Sequence, residues 1–156
     1  MSYSFGKRSL EKFNTLHPDL QKILGVLIVT YDFSIIEGER TLETQQRYFK
    51  EGKSKLDGIK KKSKHQSSPS LAVDIMPYKK GTNAFSGSEL DDRRFYMMMG
   101  MVKVIADRLL INGKISHKVR FGLDWDGDDT YQDQTFHDLP HVELIWDKSI
   151  KLLLLI

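Results

Sequence analysis

An aspartate stands in the middle of the apolar run Leu71-Ala72-Val73-Asp74-Ile75-Met76, which Pro77 closes and which otherwise reads as a buried strand. Burying a carboxylate is costly unless it is paired, hydrogen-bonded or bound to metal. A fold for this chain must therefore supply partners to Asp74, unless it is a strand-end residue satisfied by backbone N–H groups. Two histidines are the natural candidates. His65 ends a Lys-rich stretch upstream, and His141 follows Pro140 at the start of a second apolar strand, within Asp138-Leu139-Pro140-His141-Val142-Glu143-Leu144.

Two imidazoles and one carboxylate from separate elements suit a zinc ion with one open coordination position. The chain has no cysteine, so disulfides and thiolate metal sites are excluded and any transition-metal site must use His, Asp or Glu. Asp138 is better suited to act as general base than as a fourth, closing ligand, taking a proton from the attacking water and passing it to the leaving amine. Arg40 is the favoured cation to steady a developing oxyanion. A rival pattern, His137-Asp138-Leu139-Pro140-His141, has the His-x-x-x-His spacing of a helical zinc motif. Pro140 argues against it, because it removes a helix donor and biases Leu139 away from the helical region. His17 and His117 have no partners near them in sequence and read as ordinary polar or half-buried histidines.

Hydrophobic spacing predicts a short helix over 9–16 and a longer one over 19–31, with Leu20, Leu24, Leu27 and Ile28 on its apolar face behind His17-Pro18. A strand follows over 32–37. Thr41 caps a helix over 42–51 that Gly52 stops. Residues 53–70 read as a loop, 71–76 as a strand and 79–88 as another loop. The strongest helix runs from 89 to about 110, with Phe95, Met98, Val102, Ile105 and Leu109 down one face and the run Met97-Met98-Met99 filling core. Short strands are expected over 118–121 and 141–146. Helices and scattered strands without regular alternation indicate an α+β fold with a small, mostly antiparallel sheet. With 156 residues, 40% hydrophobic and 29% charged, the chain reads as one soluble globular domain spanning 1–156.

The net charge is +3. Lysines crowd the stretch from Lys50 to Lys64, for which a solvated loop is the default and attraction to an anionic polymer or surface the functional alternative. Nucleic acid is not expected as a partner, because the cluster lacks interleaved aromatics and an accompanying motif. The N-terminus carries a basic pair but no apolar run after it, so no signal peptide is expected. The tail Leu152 to Ile156 is too short to span a bilayer and is expected to pack on the core. Asp124, Asp126 and Asp128 alternate as at the start of a calcium loop, yet Asp129 and Thr135 occupy positions where an EF-hand needs Gly and Glu. A solvated acidic loop is the default there, with a calcium or other divalent site as the alternative.

The chain resembles the phage-type peptidoglycan peptidases that cleave L-alanyl-D-glutamate bonds, which share a hedgehog-like fold with D-Ala-D-Ala carboxypeptidases. The resemblance is collinear over most of the chain. It runs through Phe5-Gly6-Lys7-Arg8, His17-Pro18-Asp19-Leu20, Glu37-Gly38-Glu39-Arg40-Thr41 with Gln45, and Gly52-Lys53-Ser54-Lys55. It continues through Ser63-Lys64-His65, Ala72-Val73-Asp74 and Gly122-Leu123-Asp124-Trp125, ending on 138–144. It implies zinc held by His65, Asp74 and His141, with Asp138 as acid/base. It also implies Arg40 at the substrate or transition state, and Ser63 facing the substrate. The stretch from His65 to Asp74 is longer than the usual family spacing, filled by Ser67-Ser68-Pro69-Ser70. The implied function is hydrolysis of the peptidoglycan stem peptide by a monomeric phage lysis enzyme, made in the host cytoplasm and released to the cell wall by a separate holin. The alternatives are a D-Ala-D-Ala carboxypeptidase with the same chemistry, and a non-enzymatic module whose zinc is structural.

Overall fold

The computed structural model describes residues 2–80 and 89–146. Along the chain these form α1 (Lys7–Phe13), α2 (Pro18–Thr30), β1 (Phe33–Glu37), α3 (Leu42–Lys50), a 3-10 turn (Lys64–Gln66), β2 (Ala72–Pro77), α4 (Glu89–Ile111), β3 (His117–Phe121) and β4 (His141–Trp146). The strands pair in the order β1-β2-β4-β3, each pair antiparallel. The loop expected over 79–88 and the tail over 152–156 fall wholly or largely outside the described residues.

Strand alternation divides the sheet into two faces with different tasks. Val73 and Ile75 of β2, Val142 and Leu144 of β4, and Phe33 and Ile35 of β1 enter the hydrophobic core with α2 and α4. Their neighbours in sequence point the other way. The register sets Asp74 opposite His141 and Glu143 opposite Arg120, so four polar side chains share the face turned from the core. A register shift between Ile35 and Glu37 puts Glu37 opposite Asp74 as well; such an irregularity re-aims a side chain that strict alternation would send elsewhere.

The helices follow local chemistry. In α2, Pro18 occupies the first turn and the His17 side chain accepts from the Asp19 N–H. Leu20, Ile23, Leu24, Leu27 and Ile28 then form one buried stripe. Thr41 caps α3 by accepting from the Thr44 N–H, and Gly52 takes the left-handed φ of 72° just past its end.

Several expectations need correction. The first helix begins at Lys7 and ends at Phe13, because Thr15, Leu16 and His17 are drawn into other bonds: Ser70 N–H donates to Thr15 O and His17 N–H to Ser70 O. The second strand starts at Ala72 rather than Leu71. Met98 and Met99 do fill the core, but Met97 is 62% exposed, since three consecutive helical residues cannot all face one way. The stretch expected to be only loop contains the 3-10 turn at 64–66, built by a capping box in which Ser63 and Gln66 bond each other's backbone N–H groups.

Candidate metal centre and catalytic cleft

Three of the singled-out side chains converge. His65 Nε2, Asp74 Oδ1 and His141 Nδ1 form a nearly equilateral triangle with edges of 3.1, 3.3 and 3.4 Å. A tetrahedral ion with nitrogen and oxygen ligands at about 2.0–2.1 Å would separate any two of them by roughly 3.3–3.4 Å. The lone pairs are also prepared. His65 Nδ1–H donates to Gly38 O at 2.8 Å, and His141 Nε2–H donates to Glu143 Oε2 at 3.2 Å, so each ring turns its other nitrogen toward the triangle.

The same contacts set the charge of each group. Burial opposes ionisation of Asp74, yet hydrogen bonds and charge from His141 and His65 hold its carboxyl far below the ordinary range. Burial likewise opposes an imidazolium at His141, but Asp74 and Glu143 raise its pKa to about 9. Asp138 moves the other way. Burial and the Asp74 charge push its carboxyl up, against the pull of His141, His65 and Arg40.

A cleft of about 740 Å³ opens over the triangle, and Arg40, Ser63, Asp138, Trp125 and Phe136 are among its lining residues. Asp138 is held in a turn stapled to the end of β3: its N–H donates to Gly122 O at 2.9 Å, Gly122 N–H to His141 O at 3.0 Å, and His141 N–H to Asp138 O at 3.0 Å. Residues 137–140 are not helical, in keeping with Pro140. Arg40 N–H donates to His65 O, while the guanidinium bonds Glu37 and, at 2.8 Å, Gln45 Oε1. It also lies 3.7 Å from Asp74 Oδ2 and over the Tyr48 ring. Its Nε is buried and has no hydrogen-bond partner among the described residues, which leaves one donor uncommitted. Ser63 Oγ accepts from His65 N–H, so it seats a member of the triangle and keeps its own hydroxyl proton to give.

The Lys-rich stretch is more than a solvated loop. Gln45, fully buried, donates to Ser54 Oγ and Leu56 O and fastens the stretch beside Arg40. Lys53, Lys55, Lys62 and Lys64 thereby line the cleft, and Lys55 Nζ sits 5.0 Å from the Phe136 ring on the opposite wall. The long spacing between His65 and Asp74 leaves the cleft untouched. Residues 66–70 do not line it, and Leu71 N–H returns to Lys64 O to close the excursion.

His17 and His117 are not the solitary residues they look in sequence. Both group with Asp19, whose Oδ2 accepts from His117 Nδ1 at 2.8 Å and from Ser116 N–H and Oγ–H at 2.9 and 3.2 Å. Hydrogen bonds account for that buried carboxylate, and His17 Nδ1 is spent on capping α2. The carboxylates of Asp124, Asp126 and Asp128 also lie close together. Asp124 is buried and accepts the N–H groups of Gly127, Asp128 and Asp129, which orders the loop. Glu143 and Arg120 escaped notice in the sequence as site residues; an acid at an alternate position of a strand carries no signal until its cross-strand partner is known.

Residues 1–145 match the sequence model of the family described as phage L-alanyl-D-glutamate peptidase. The chain belongs to that family. The L-alanyl-D-glutamate peptidase of Escherichia phage T5 is 31% identical over 150 residues, covering 93% of this chain and 100% of that one. The crystal structure of the Serratia marcescens L-Ala D-Glu endopeptidase ChiX shares the fold, with a TM-score of 0.61 and 23% identity over 90% of this chain and 89% of that one. In this chain the α+β architecture carries the triangle and the cleft. Among the described residues no helix is long and apolar enough to cross a membrane.

Proposed function

We propose that this chain is a zinc-dependent endopeptidase hydrolysing the L-Ala–D-Glu bond of peptidoglycan stem peptides. His65, Asp74 and His141 would hold the metal, and the observation that carries the proposal is their 3.1–3.4 Å triangle of prepared lone pairs. Bound zinc supplies Lewis acidity toward the scissile carbonyl and makes water nucleophilic at neutral pH. Asp138 takes the proton of the attacking water and delivers it to the departing D-Glu nitrogen. Its raised pKa suits it to both halves of that transfer. Arg40, fixed by Glu37 and Gln45, stabilises the negative charge that develops on the carbonyl oxygen. Ser63 contacts substrate from the cleft wall. The lysines of the cleft suit an acidic substrate, because a D-Glu residue acylated at nitrogen keeps a second carboxyl group whichever one continues the chain.

In this proposal residues 1–156 act as one monomeric catalytic domain, made in the host cytoplasm and delivered to the cell wall by a separate holin. The phage relative supports the lysis setting. A calcium ion at Asp124, Asp126 and Asp128 is a lesser element, tested by a calcium-dependent rise in Tm that Asp126→Asn removes.

Digestion of purified peptidoglycan followed by mass spectrometry tests the central reading. New L-Ala carboxyl and D-Glu amino termini support it, whereas release of D-Ala rejects it in favour of a carboxypeptidase. Asp138→Asn should abolish turnover while leaving zinc stoichiometry unchanged; full activity in that variant would overturn the mechanism and favour a different proton carrier.

A further inference from the structure

We propose that Glu143, braced by Arg120, is a positioning residue that sets His141 as an Nδ1 ligand. The proposal rests on the zinc reading above and adds to it a residue pair outside the metal triangle.

Glu143 lies two positions after His141 on β4, so the strand period brings carboxylate and imidazole side by side on the cleft face. It is only 5% exposed, a burial that a carboxylate accepts only when paired. Its two oxygens are divided between two tasks. Oε2 takes the His141 Nε2–H at 3.2 Å. Oε1 takes Arg120 Nε–H at 3.0 Å and Nη2–H at 2.6 Å. Arg120 reaches it because the two residues are directly opposed across β3 and β4.

A neutral imidazole has one N–H and one lone pair. An acceptor that claims Nε2–H leaves the lone pair on Nδ1, the atom 3.1 Å from Asp74 Oδ1 and 3.4 Å from His65 Nε2. Without that acceptor either tautomer is available, and the ring is free to turn Nε2 elsewhere. Arg120 fixes the device in place, since its two donated bonds hold the carboxylate against β3 and leave only Oε2 to face the ring. The guanidinium also donates from Nη1 to Trp125 O at 3.2 Å, and the Trp125 ring lies 5.2 Å from that of His141, so one arginine braces both the carboxylate and the aromatic wall beside the ligand. His65 is treated differently. Its tautomer is set by the uncharged backbone carbonyl of Gly38, which no side-chain replacement removes. His141 is thus the ligand whose orientation a side chain controls. Carboxylate partners of this kind raise ligand basicity and typically contribute about 10–100-fold to metal affinity.

The test uses the full chain with zinc and with cobalt(II) as a spectroscopic substitute. Zinc affinity is measured by competition with a chromophoric chelator, and ligand-field bands are recorded for wild type, Glu143→Gln, Glu143→Ala, Arg120→Gln and the double variant Arg120→Gln/Glu143→Ala. The expected result is zinc binding weakened by about 10-fold in Glu143→Gln and about 100-fold in Glu143→Ala, with shifted cobalt bands in both. Arg120→Gln should weaken wild type in the same direction but add little to Glu143→Ala, because both act through one ring. A purely structural role would lower Tm and leave the cobalt spectrum and affinity of the folded protein unchanged. Zinc affinity within threefold of wild type and unaltered bands in folded Glu143→Gln overturn the proposal. If the Glu143 variants do not fold, Arg120→Gln decides the matter on the same two readouts, since the Arg120 side chain is 37% exposed. Wild type binding zinc that His141→Ala loses establishes the centre separately; wild type that binds none overturns the zinc reading and this proposal together.

Discussion

Replacing Gly122 with alanine should disable the cleft while every metal ligand and the proposed base keep their identity. A Cβ at that position would lie 2.3 Å from Asp138 O, 2.8 Å from Asp138 Cβ and 2.9 Å from His141 Cβ. These are backbone and first side-chain atoms, so no flexible tip can swing aside. The turn that carries Asp138 must retreat by on the order of an ångström, a misplacement that costs roughly 100-fold in rate. That loss corresponds to about 2.7 kcal/mol of transition-state stabilisation. Overpacking adds about 1–3 kcal/mol of destabilisation, and the paired bonds between Gly122, Asp138 and His141 are stretched as well. At about 2–4 °C per kcal/mol for a chain of this size, Tm should fall by several degrees. The assay is turnover on purified peptidoglycan beside thermal denaturation and zinc analysis. Gly25→Ala and Gly100→Ala are internal controls: both glycines lie in helices, a Cβ on either meets nothing within 4 Å, and each replacement should stabilise by about 0.5–1 kcal/mol. Wild-type turnover and Tm in Gly122→Ala would refute the reasoning, because the close contact would then have no mechanical consequence.

His65→Ala, Asp74→Ala and His141→Ala should each lose zinc by metal analysis, and chelation should lower the Tm of wild type but not of these variants. The lost stabilisation is about 4 kcal/mol where free zinc stood at a thousand times its dissociation constant. Asp19→Asn should cost about 1.5–3 kcal/mol, measured by denaturant titration, because hydrogen bonds to a buried charged group are lost. Burial opposes the Asp19 charge, but bonds from His117 and Ser116 depress its pKa below the unfolded value. Its contribution is therefore present above the unfolded pKa near 4 and disappears as pH falls through the lower folded value, so the variant should show a flatter acid limb of stability against pH. Gln45→Ala should lower stability by about 1–3 kcal/mol, since it leaves an Arg40 N–H without its acceptor and Leu56 O with only the 3.5 Å bond from Ser54 Oγ. It should also raise KM as the lysine wall loosens, and an unchanged KM would dissociate that wall from substrate binding.

Asp74 was legible as a charge inside an apolar strand and His141 as an imidazole after a proline at a strand's start, whereas His65, at the end of a Lys-rich loop, stood out only as a partner for Asp74 and through the family resemblance at Ser63-Lys64-His65. Helices α2 and α4 were legible from their apolar periodicity, and the small antiparallel sheet from its short apolar runs. Short-range structure without periodicity was not. The 3-10 turn at 64–66 spans too few residues to show a repeat, and its capping box lies in what reads as a polar loop. Contacts between remote elements were hidden for a different reason. Asp19 and His117 are brought together only when α2 packs near the start of β3, and Glu143 acquires meaning only when the β3–β4 register puts Arg120 across from it. Gly122 carried a family resemblance, but its mechanical role needs the distance to Asp138.

The alternation of β2 and β4 also has a consequence for how this enzyme can change. Val73, Ile75, Val142 and Leu144 answer to the core, whereas Asp74, His141 and Glu143 answer to the cleft. Substitutions confined to the cleft-facing register therefore act on the metal centre while the packed side stays intact, and stabilising changes in the packed side need not reach the chemistry. Deleting one residue from either strand does the opposite, exchanging the two faces beyond the deletion and forfeiting both at once. Point substitution is thus an open route for diversification of these strands, and insertion or deletion is confined to the connections between them.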